Sequence, residues 1–275
     1  MKVIAIVTCY NPTPELLLKS IASYADHVDK LLIWRNSILP KELELELSGR
    51  YKAEFRGDGT NAGIPAALNF AWKEAVTENY DCLLTMDQDS IWHEFEAYLS
   101  QASTNGLAMC FYSPTFKMMG ETPHPQSTIL TPLDITITSG MLIPISVLNL
   151  VGGWDECFKI DAVDVEFCLH ARSLGIQCWR CGAGWLEHRL GDRHQATFFG
   201  IHFYTYNYSA ERLYRTYRNH IIAFRRYKGA ISKKARKTFV RICIYRQPIK
   251  ILLGEKNKWA KLTAIRLGLR DGFKD

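Results

Sequence analysis

The segment Leu83-Leu84-Thr85-Met86-Asp87-Gln88-Asp89-Ser90 constrains this chain more than any other. A short apolar run reads as a buried strand, and it ends abruptly in two carboxylates two residues apart. Side chains at i and i+2 of an extended chain point the same way, so Asp87 and Asp89 can converge on one point at the strand's C-terminal end. Open α/β sheets bind ligands at that end. Two hard carboxylates aimed at one point suit a divalent cation that also holds phosphate oxygens. An isolated D-x-D is more often a solvated turn, so the rest of the chain has to decide between the two.

The surrounding pattern favours an α/β sheet. Lys2–Thr8, Lys30–Trp34, Tyr51–Arg56 and Cys82–Met86 read as strands. Pro14–Ala25 carries Leu17, Leu18, Ile21 and Tyr24 at helical spacing, and a helix starts at Asn61-Ala62-Gly63-Ile64-Pro65. Lys41–Leu47 alternates charge with Leu and is open to helix or strand. Strands alternating with helices predict βαβ units and a parallel sheet. After Ser90 the pattern changes. Leu107–Tyr112 and Ile135–Ile145 are strand-like, with a Pro-rich loop (Pro114, Pro123, Pro125) between them. Asp164–Ser173 reads as a helix, Gln177–Arg180 as a short strand, and the chain is helical from about Ser209.

Charge is unevenly placed. Residues 211–275 hold 19 Lys and Arg against 4 Asp and Glu, while residues 1–210 hold 15 against 24. An acidic body with a basic tail bears on partners, not on fold. In the tail, Arg225-Arg226-Tyr227-Lys228 and Lys233-Lys234-Ala235-Arg236-Lys237 interleave with Ile221, Ile222, Phe224, Ile231, Phe239, Val240, Ile242 and Ile244. Such a basic amphipathic segment fits an anionic membrane surface, or equally a helical cap with a solvated basic face. It lacks any recognisable nucleic-acid-binding module, so no nucleic acid is expected. No apolar run reaches the roughly 18 residues of a membrane span. The apolar start, Met1 to Val7, runs straight into Thr8-Cys9-Tyr10-Asn11-Pro12 and reads as a first strand. Eight scattered cysteines, several inside apolar runs, imply a reducing, cytoplasmic setting.

Three further clusters bear chemistry. Asp161, Asp164 and Glu166 crowd an apparent helix start, where acids either complement the helix dipole or supply a general base for an acceptor hydroxyl. His188, in Trp185-Leu186-Glu187-His188-Arg189-Leu190-Gly191-Asp192, gains a role only by converging on Asp87 and Asp89. Cys178-x-x-Cys181 before His188 and His194 has half of a zinc-site spacing, but too few residues separate the pairs for the usual finger. Gly57-Asp58-Gly59-Thr60-Asn61-Ala62-Gly63 is a Gly-rich turn before a helix that reads as a phosphate cradle or as a plain loop.

In this order the segments resemble inverting nucleotide-sugar glycosyltransferases of family 2, and most of all their bacterial rhamnosyltransferase branch. The match runs through Val7 to Asn11, Asn61 to Asn69, Asp87 to Ser90, Ser139-Gly140, Gly152 to Glu156, Asp161 to Arg172, Glu187 to Gly191 and Tyr214 to Asn219, spanning about residues 3–220. The resemblance implies a GT-A fold: a Rossmann-like nucleotide-sugar-binding domain with a mixed central sheet over 1–208, followed by a basic helical extension over 209–275. It implies donor contacts from Thr8, Tyr10, Asn11, Asn36, Asn61, Gly63, Asp87, Gln88 and Asp89, and Mg²⁺ or Mn²⁺ on Asp87, Asp89 and His188. Asp164 takes the catalytic-base position, and Trp154, Asp155 and Glu166 border the acceptor. The implied reaction moves a sugar, rhamnose from dTDP-rhamnose, to a cell-surface polysaccharide or lipid-linked glycan precursor at the inner face of the cytoplasmic membrane. A UDP-hexose or UDP-galactofuranose donor, or a non-catalytic binding protein on the same fold, are the alternatives. One position departs from the pattern. Relatives carry an Asp-Asn pair after the second strand, where this chain has Arg35-Asn36, and an arginine cannot accept a nucleobase N–H.

Overall fold

The computed structural model describes residues 1–106, 108–118, 127–188 and 194–274. The N-terminal part alternates as its pattern predicts: β1 (Val3–Cys9), α1 (Pro14–Ala22), β2 (Lys30–Arg35), α2 (Lys41–Tyr51), β3 (Glu54–Arg56), α3 (Ile64–Thr77) and β4 (Cys82–Asp87). The ambiguous Lys41–Leu47 is helical. Leu43 and Leu47, four apart, are buried, while Leu45 between them is 73% exposed. A strand would have put all three on one face.

The next part contains β5 (Ile91–His93), α4 (Phe95–Thr104), β6 (Cys110–Met118), β7 (Ser127–Leu133), β8 (Met141–Pro144), α5 (Ile145–Val151), α6 (Val163–Ser173), β9 (Gln177–His188), β10 (His194–Phe198) and β11 (Ile201–Thr205). Three expectations change here. The strand expected at Ile135–Ile145 is confined to Met141–Pro144. The alternating Ile135-Thr136-Ile137-Thr138 is instead anchored by polar bonds under β4: Thr85 Oγ1 donates to Thr138 O and the Gly140 N–H to Thr85 O at 2.7 Å. The loop expected around Pro114 is strand, with β6 passing through Pro114 at a register shift against β9. The short strand at Gln177–Arg180 runs on to His188. Pro123 and Pro125 lie outside the described residues.

The main sheet has strand order β3-β2-β1-β4-β8-β6-β9-β5, with β7 also on β9. β3, β2, β1 and β4 are parallel, while β8 runs antiparallel between β4 and β6. Alternate residues of β1 feed two cores. Ile4 and Ile6 pack with α3, α5 and α6, and Val3, Ala5 and Val7 with α1, α2 and α4. A sheet covered on both faces explains why β1 is apolar throughout instead of alternating.

The C-terminal part is α7 (Ala210–Arg226), α8 (Lys233–Phe239), a π-helical stretch (Val240–Arg246), α9 (Gln247–Gly254) and α10 (Lys258–Lys274). Ser209 caps α7, accepting the Arg212 N–H at 3.1 Å. Ala223 and Ile231 belong to the same apolar cluster as the sheet. A buried ion pair, Lys261 Nζ to Glu255 Oε2 at 2.7 Å, ties α10 to the chain after α9. Among the described residues no helix is long and apolar enough to cross a membrane.

Candidate active site

Asp87 is the last residue of β4, paired in register with Thr8 of β1. Its N–H donates to Ser139 Oγ at 3.1 Å. After Ser90 the chain enters β5, which pairs antiparallel with the end of β9, Ile91 opposite Glu187. One step further along that register Ser90 meets His188, and Ser90 Oγ lies 2.9 Å from His188 Nδ1. The same nitrogen is 3.9 Å from Asp87 Oδ2. Ligand atoms of Asp87, Asp89 and His188 all lie within 4.8 Å of one another. Burial, then the charges of Asp89 and Asp164, push the Asp87 carboxyl up to about 7, and burial lowers the His188 imidazole while Asp89 opposes the shift. Acidic neighbours that raise the Asp87 carboxyl in this way mark a point of concentrated negative charge. Two carboxylates and an imidazole in that arrangement fit a divalent cation, Mn²⁺ or Mg²⁺.

The residues expected on the donor side cluster near the ends of β1, β2 and β4 and the turn before α3. The Tyr10 N–H donates to Gln88 Oε1 at 2.7 Å, and Gln88 Nε2 to Tyr10 O at 3.1 Å. Asn11, left-handed at φ 44°, donates its N–H to Ser37 Oγ at 2.7 Å. Asn36 is 4% exposed and braces the Gly-rich turn: its Oδ1 accepts from the Ala62 N–H and Trp34 Nε1, and its Nδ2 donates to Gly63 O. Asn61 Oδ1 accepts the Gly63 N–H at 3.1 Å. Gly63 starts α3 at φ +90°, and a Cβ there would stand 2.8 Å from Lys159 O. Glycine thus lets the turn seat against the loop before α6. Arg35 is held by Gly57 O at 3.0 Å and Glu44 at 3.2 Å.

A polar cavity of about 480 Å³ opens beside these residues, lined by Asn11, Gln88 and Asp89 on one side and by Tyr206, Asn207, Tyr208, Ser209 and Arg212 on the other. The second wall was not found from the sequence, although the alternation Tyr204-Thr205-Tyr206-Asn207-Tyr208 was there to be read. Tyr206 and Tyr208 stack with centroids 5.6 Å apart, and the Arg212 guanidinium lies 4.5 Å over the Tyr208 ring. The Lys261–Glu255 pair holds this wall, because Lys261 also donates to Asn207 Oδ1.

Asp164 stands in the first turn of α6, and its Oδ1 accepts the Val165 N–H at 2.8 Å. Two left-handed residues, Asp161 and Ala162, both at φ 62°, turn the chain into this helix. Burial raises the Asp164 carboxyl, with the charge of His220 on α7 acting the other way. Asp161 pairs with Arg212 at 3.3 Å, which links the start of α6 to the cavity wall.

The expected acceptor residues are placed differently from Asp164. Trp154 is 3% exposed, stacked on Phe167 at 4.7 Å, and Glu166 is 2% exposed, accepting from Tyr227 Oη at 2.7 Å. Both sit inside the fold. Asp155 is partly exposed and pairs with Arg226 at 2.6 Å. The zinc spacing has no geometry behind it. Cys178 and Cys181, three apart on a strand, face opposite cores, and His188 belongs to the Asp87 cluster. Residues Arg189 to Asp192 lie outside the described residues.

No profile of a known protein family matches the chain. The dTDP-rhamnosyl transferase RfbF of Shigella flexneri is 28% identical over 159 residues, covering 49% of this chain and 51% of that protein. The chain therefore spans about half the length of the curated relative it matches. Among solved structures, S. aureus TarS 1-349 in complex with UDP-GlcNAc superposes with a TM-score of 0.64 at 14% identity, over 100% of this chain and 81% of that one. GalNAc-T7 with UDP, GalNAc and Mn²⁺ superposes with a TM-score of 0.61 at 9% identity, over 98% of this chain and 56% of that one. The chain has the GT-A fold, with its mixed central sheet, and these neighbours are glycosyltransferases of that fold.

Proposed function

We propose that this chain of GT-A fold is a divalent-metal-dependent, inverting glycosyltransferase. The donor in this reading is dTDP-rhamnose, and the acceptor is a cell-surface polysaccharide or its lipid-linked precursor. The observation that carries the reading is the convergence of Asp87, Asp89 and His188, which come from β4, the turn after it and β9, beside a polar cavity that Asp89 lines. The rhamnosyl donor rests on the likeness to RfbF over half of the chain.

Asp87, Asp89 and His188 would hold the cation. When bound, it neutralises the diphosphate that leaves with the nucleotide. Arg212, on the opposite wall, adds a fixed positive charge facing the same space. Thr8, Tyr10 and Asn11 edge the nucleotide, while Gln88 holds the turn that carries Asp89. Asp164 takes the proton from the acceptor hydroxyl, and its burial strengthens it as a base. The acceptor oxygen then attacks the anomeric carbon opposite the departing diphosphate, which inverts that centre. Residues 1–208 form the catalytic domain in this reading, and the extension over 209–275 closes its cavity through Ser209 and Arg212.

The extension would also seat the enzyme on the inner face of the cytoplasmic membrane. Ile242, Tyr245, Ile249 and Leu252 are exposed beside Arg241 and Arg246, a mixture that suits an anionic leaflet. A UDP-hexose donor is the second reading, and Arg35 favours keeping it open. Its guanidinium offers no acceptor to a base N–H and is tied to Gly57 and Glu44.

A thermal-shift panel of dTDP-rhamnose, UDP-glucose, UDP-galactose and GDP-mannose, each with and without Mn²⁺, tests the reading. A ligand that binds only the native state raises its stability by mass action. The expected result is a Mn²⁺-dependent shift largest with dTDP-rhamnose, lost in Asp89→Ala and His188→Ala. A shift without sugar transfer would favour a binding protein on this fold, and no shift with any nucleotide would overturn the proposal.

A further inference from the structure

The C-terminal helices border a second, open cavity of different character. It measures about 910 Å³ and is walled by Ile222, Phe224, Val240, Ile244, Leu269 and Phe273. These residues come from α7, the π-helical stretch and α10. Pockets that take small molecules run to about 300–1,000 Å³, and this apolar space falls in that range.

Its charged lining has one sign. Arg225, Arg226, Lys228 and Arg236 reach the cavity, and among the described residues no Asp or Glu does. Two of the four are engaged elsewhere, Arg226 with Asp155 at 2.6 Å and Arg225 with Gly272 O at 3.0 Å. Lys228 and Arg236 are exposed, and among the described residues neither has a carboxylate partner. Phe224 and Phe239 are shared with an adjoining cavity of about 590 Å³, which Val165 and His220 also line. Val165 directly follows Asp164 on α6 and the charge of His220 acts on the Asp164 carboxyl, so this adjoining cavity, which Asp134 and Arg172 also line, runs beside the helix that carries the proposed base.

We propose that this cavity binds the lipid carrier of the acceptor, a long-chain hydrocarbon phosphate ester. The chain lies against the Ile222–Phe273 wall, the phosphate meets Lys228 and Arg236, and the attached glycan leads through the adjoining cavity toward Asp164. Only the glycan's path rests on the transferase reading; the binding of chain and phosphate stands apart from it.

Farnesyl monophosphate is the probe, titrated calorimetrically into the full chain below its aggregation threshold. Farnesol, inorganic phosphate and phosphatidylglycerol–phosphatidylcholine vesicles are separate arms. The expected result is saturable binding of one probe per chain, about tenfold or more tighter than farnesol or inorganic phosphate, since only the probe uses both the wall and the cations. Val240→Asp and Phe273→Asp place a carboxylate on wall positions that are 38% and 62% exposed, so the fold tolerates them. Each weakens the probe by about tenfold, as burying charge against hydrocarbon requires, and Arg236→Glu does the same. The nucleotide-induced thermal shift stays at the wild-type value in all three.

Equal affinity in wild type and variants, or no binding, overturns the proposal. Vesicle binding without affinity for the dispersed probe also overturns it, in favour of a flat membrane-facing surface. Variant-sensitive probe binding in a protein that transfers no sugar leaves the cavity assigned and removes the transferase reading instead.

Discussion

Gln88 and Tyr10 close a two-bond ring: the Tyr10 N–H donates to Gln88 Oε1 at 2.7 Å, and Gln88 Nε2 donates back to Tyr10 O at 3.1 Å. The ring ties the end of β1 to the turn after β4. The residue between the two acidic positions thus does a different job from its neighbours, anchoring the turn on which Asp89 stands. Gln88→Glu keeps the acceptor for Tyr10 and loses the donor, setting a carboxylate against a carbonyl. A net hydrogen bond is worth about 1 kcal/mol, so donor affinity should fall by roughly five- to tenfold. The melting temperature should stay near wild type because the pair is exposed. Isothermal titration with the nucleotide checks it, and unchanged affinity would mean that the turn is held by other contacts.

Asp164→Asn removes the proposed base while keeping its shape. Turnover should fall by about 10²–10⁴, the usual contribution of a general base, with donor affinity preserved. Steady-state kinetics beside donor titration separates the two quantities. Retained turnover would pass the role to another carboxylate, with Asp161 the first to test.

Glu166 lies buried against Tyr227, and burial raises its carboxyl above the ordinary range despite the Tyr227 hydrogen bond and the nearby Arg226. A carboxyl raised on folding costs stability once it ionises, so its penalty is absent below the unfolded pKa and complete above the folded one. Glu166→Gln should therefore melt higher than wild type near pH 8. The gap should close as the pH falls toward the ordinary carboxylate range. A gap independent of pH would show that the gain comes from packing.

Gly153 sits at φ +82°, and a Cβ there would stand 2.5 Å from Asn69 Oδ1 and 2.7 Å from the Trp72 ring. Asn69 in turn accepts the Trp154 N–H and donates to Trp154 O, each at 2.8 Å. Gly153→Ala combines a left-handed backbone with overpacking, at a cost of about 3 kcal/mol. A lowered urea midpoint is the measurement, and an unchanged midpoint would mean that Trp72 has room to swing away.

Much of this fold could be read locally. The alternation through Met86 gave βαβ units because strand and helix periods are set by the backbone alone. The reading weakened where other forces decide. Ile135 to Thr138 alternates like a strand, yet its polar side chains and backbone bond to Thr85, Ser113 and Asp87 through Thr136, Thr138 and Ser139, in place of a neighbouring strand's ladder. Lys41–Leu47 was ambiguous until α2 found a core that takes Leu43 and Leu47 and leaves Leu45 outside. Trp154 and Glu166 carry a motif's residue types, and only packing shows that they face inward.

By itself the sequence determined the pair Asp87 and Asp89, because two-residue periodicity puts i and i+2 on one side of any strand. It also determined the basic tail, because charge needs no fold to be counted. Periodicity could not join His188 to that pair; the family resemblance named it, and the tertiary structure supplies the physical reason for its place there. Ninety-eight residues of chain lie between Asp89 and His188, and no local rule spans such a distance. What brings them together is the antiparallel register of β5 on β9, Ile91 against Glu187, which lays Ser90 beside the histidine. The Tyr206–Arg212 wall has the same origin, since its place opposite Asp89 is fixed by the buried Lys261–Glu255 pair.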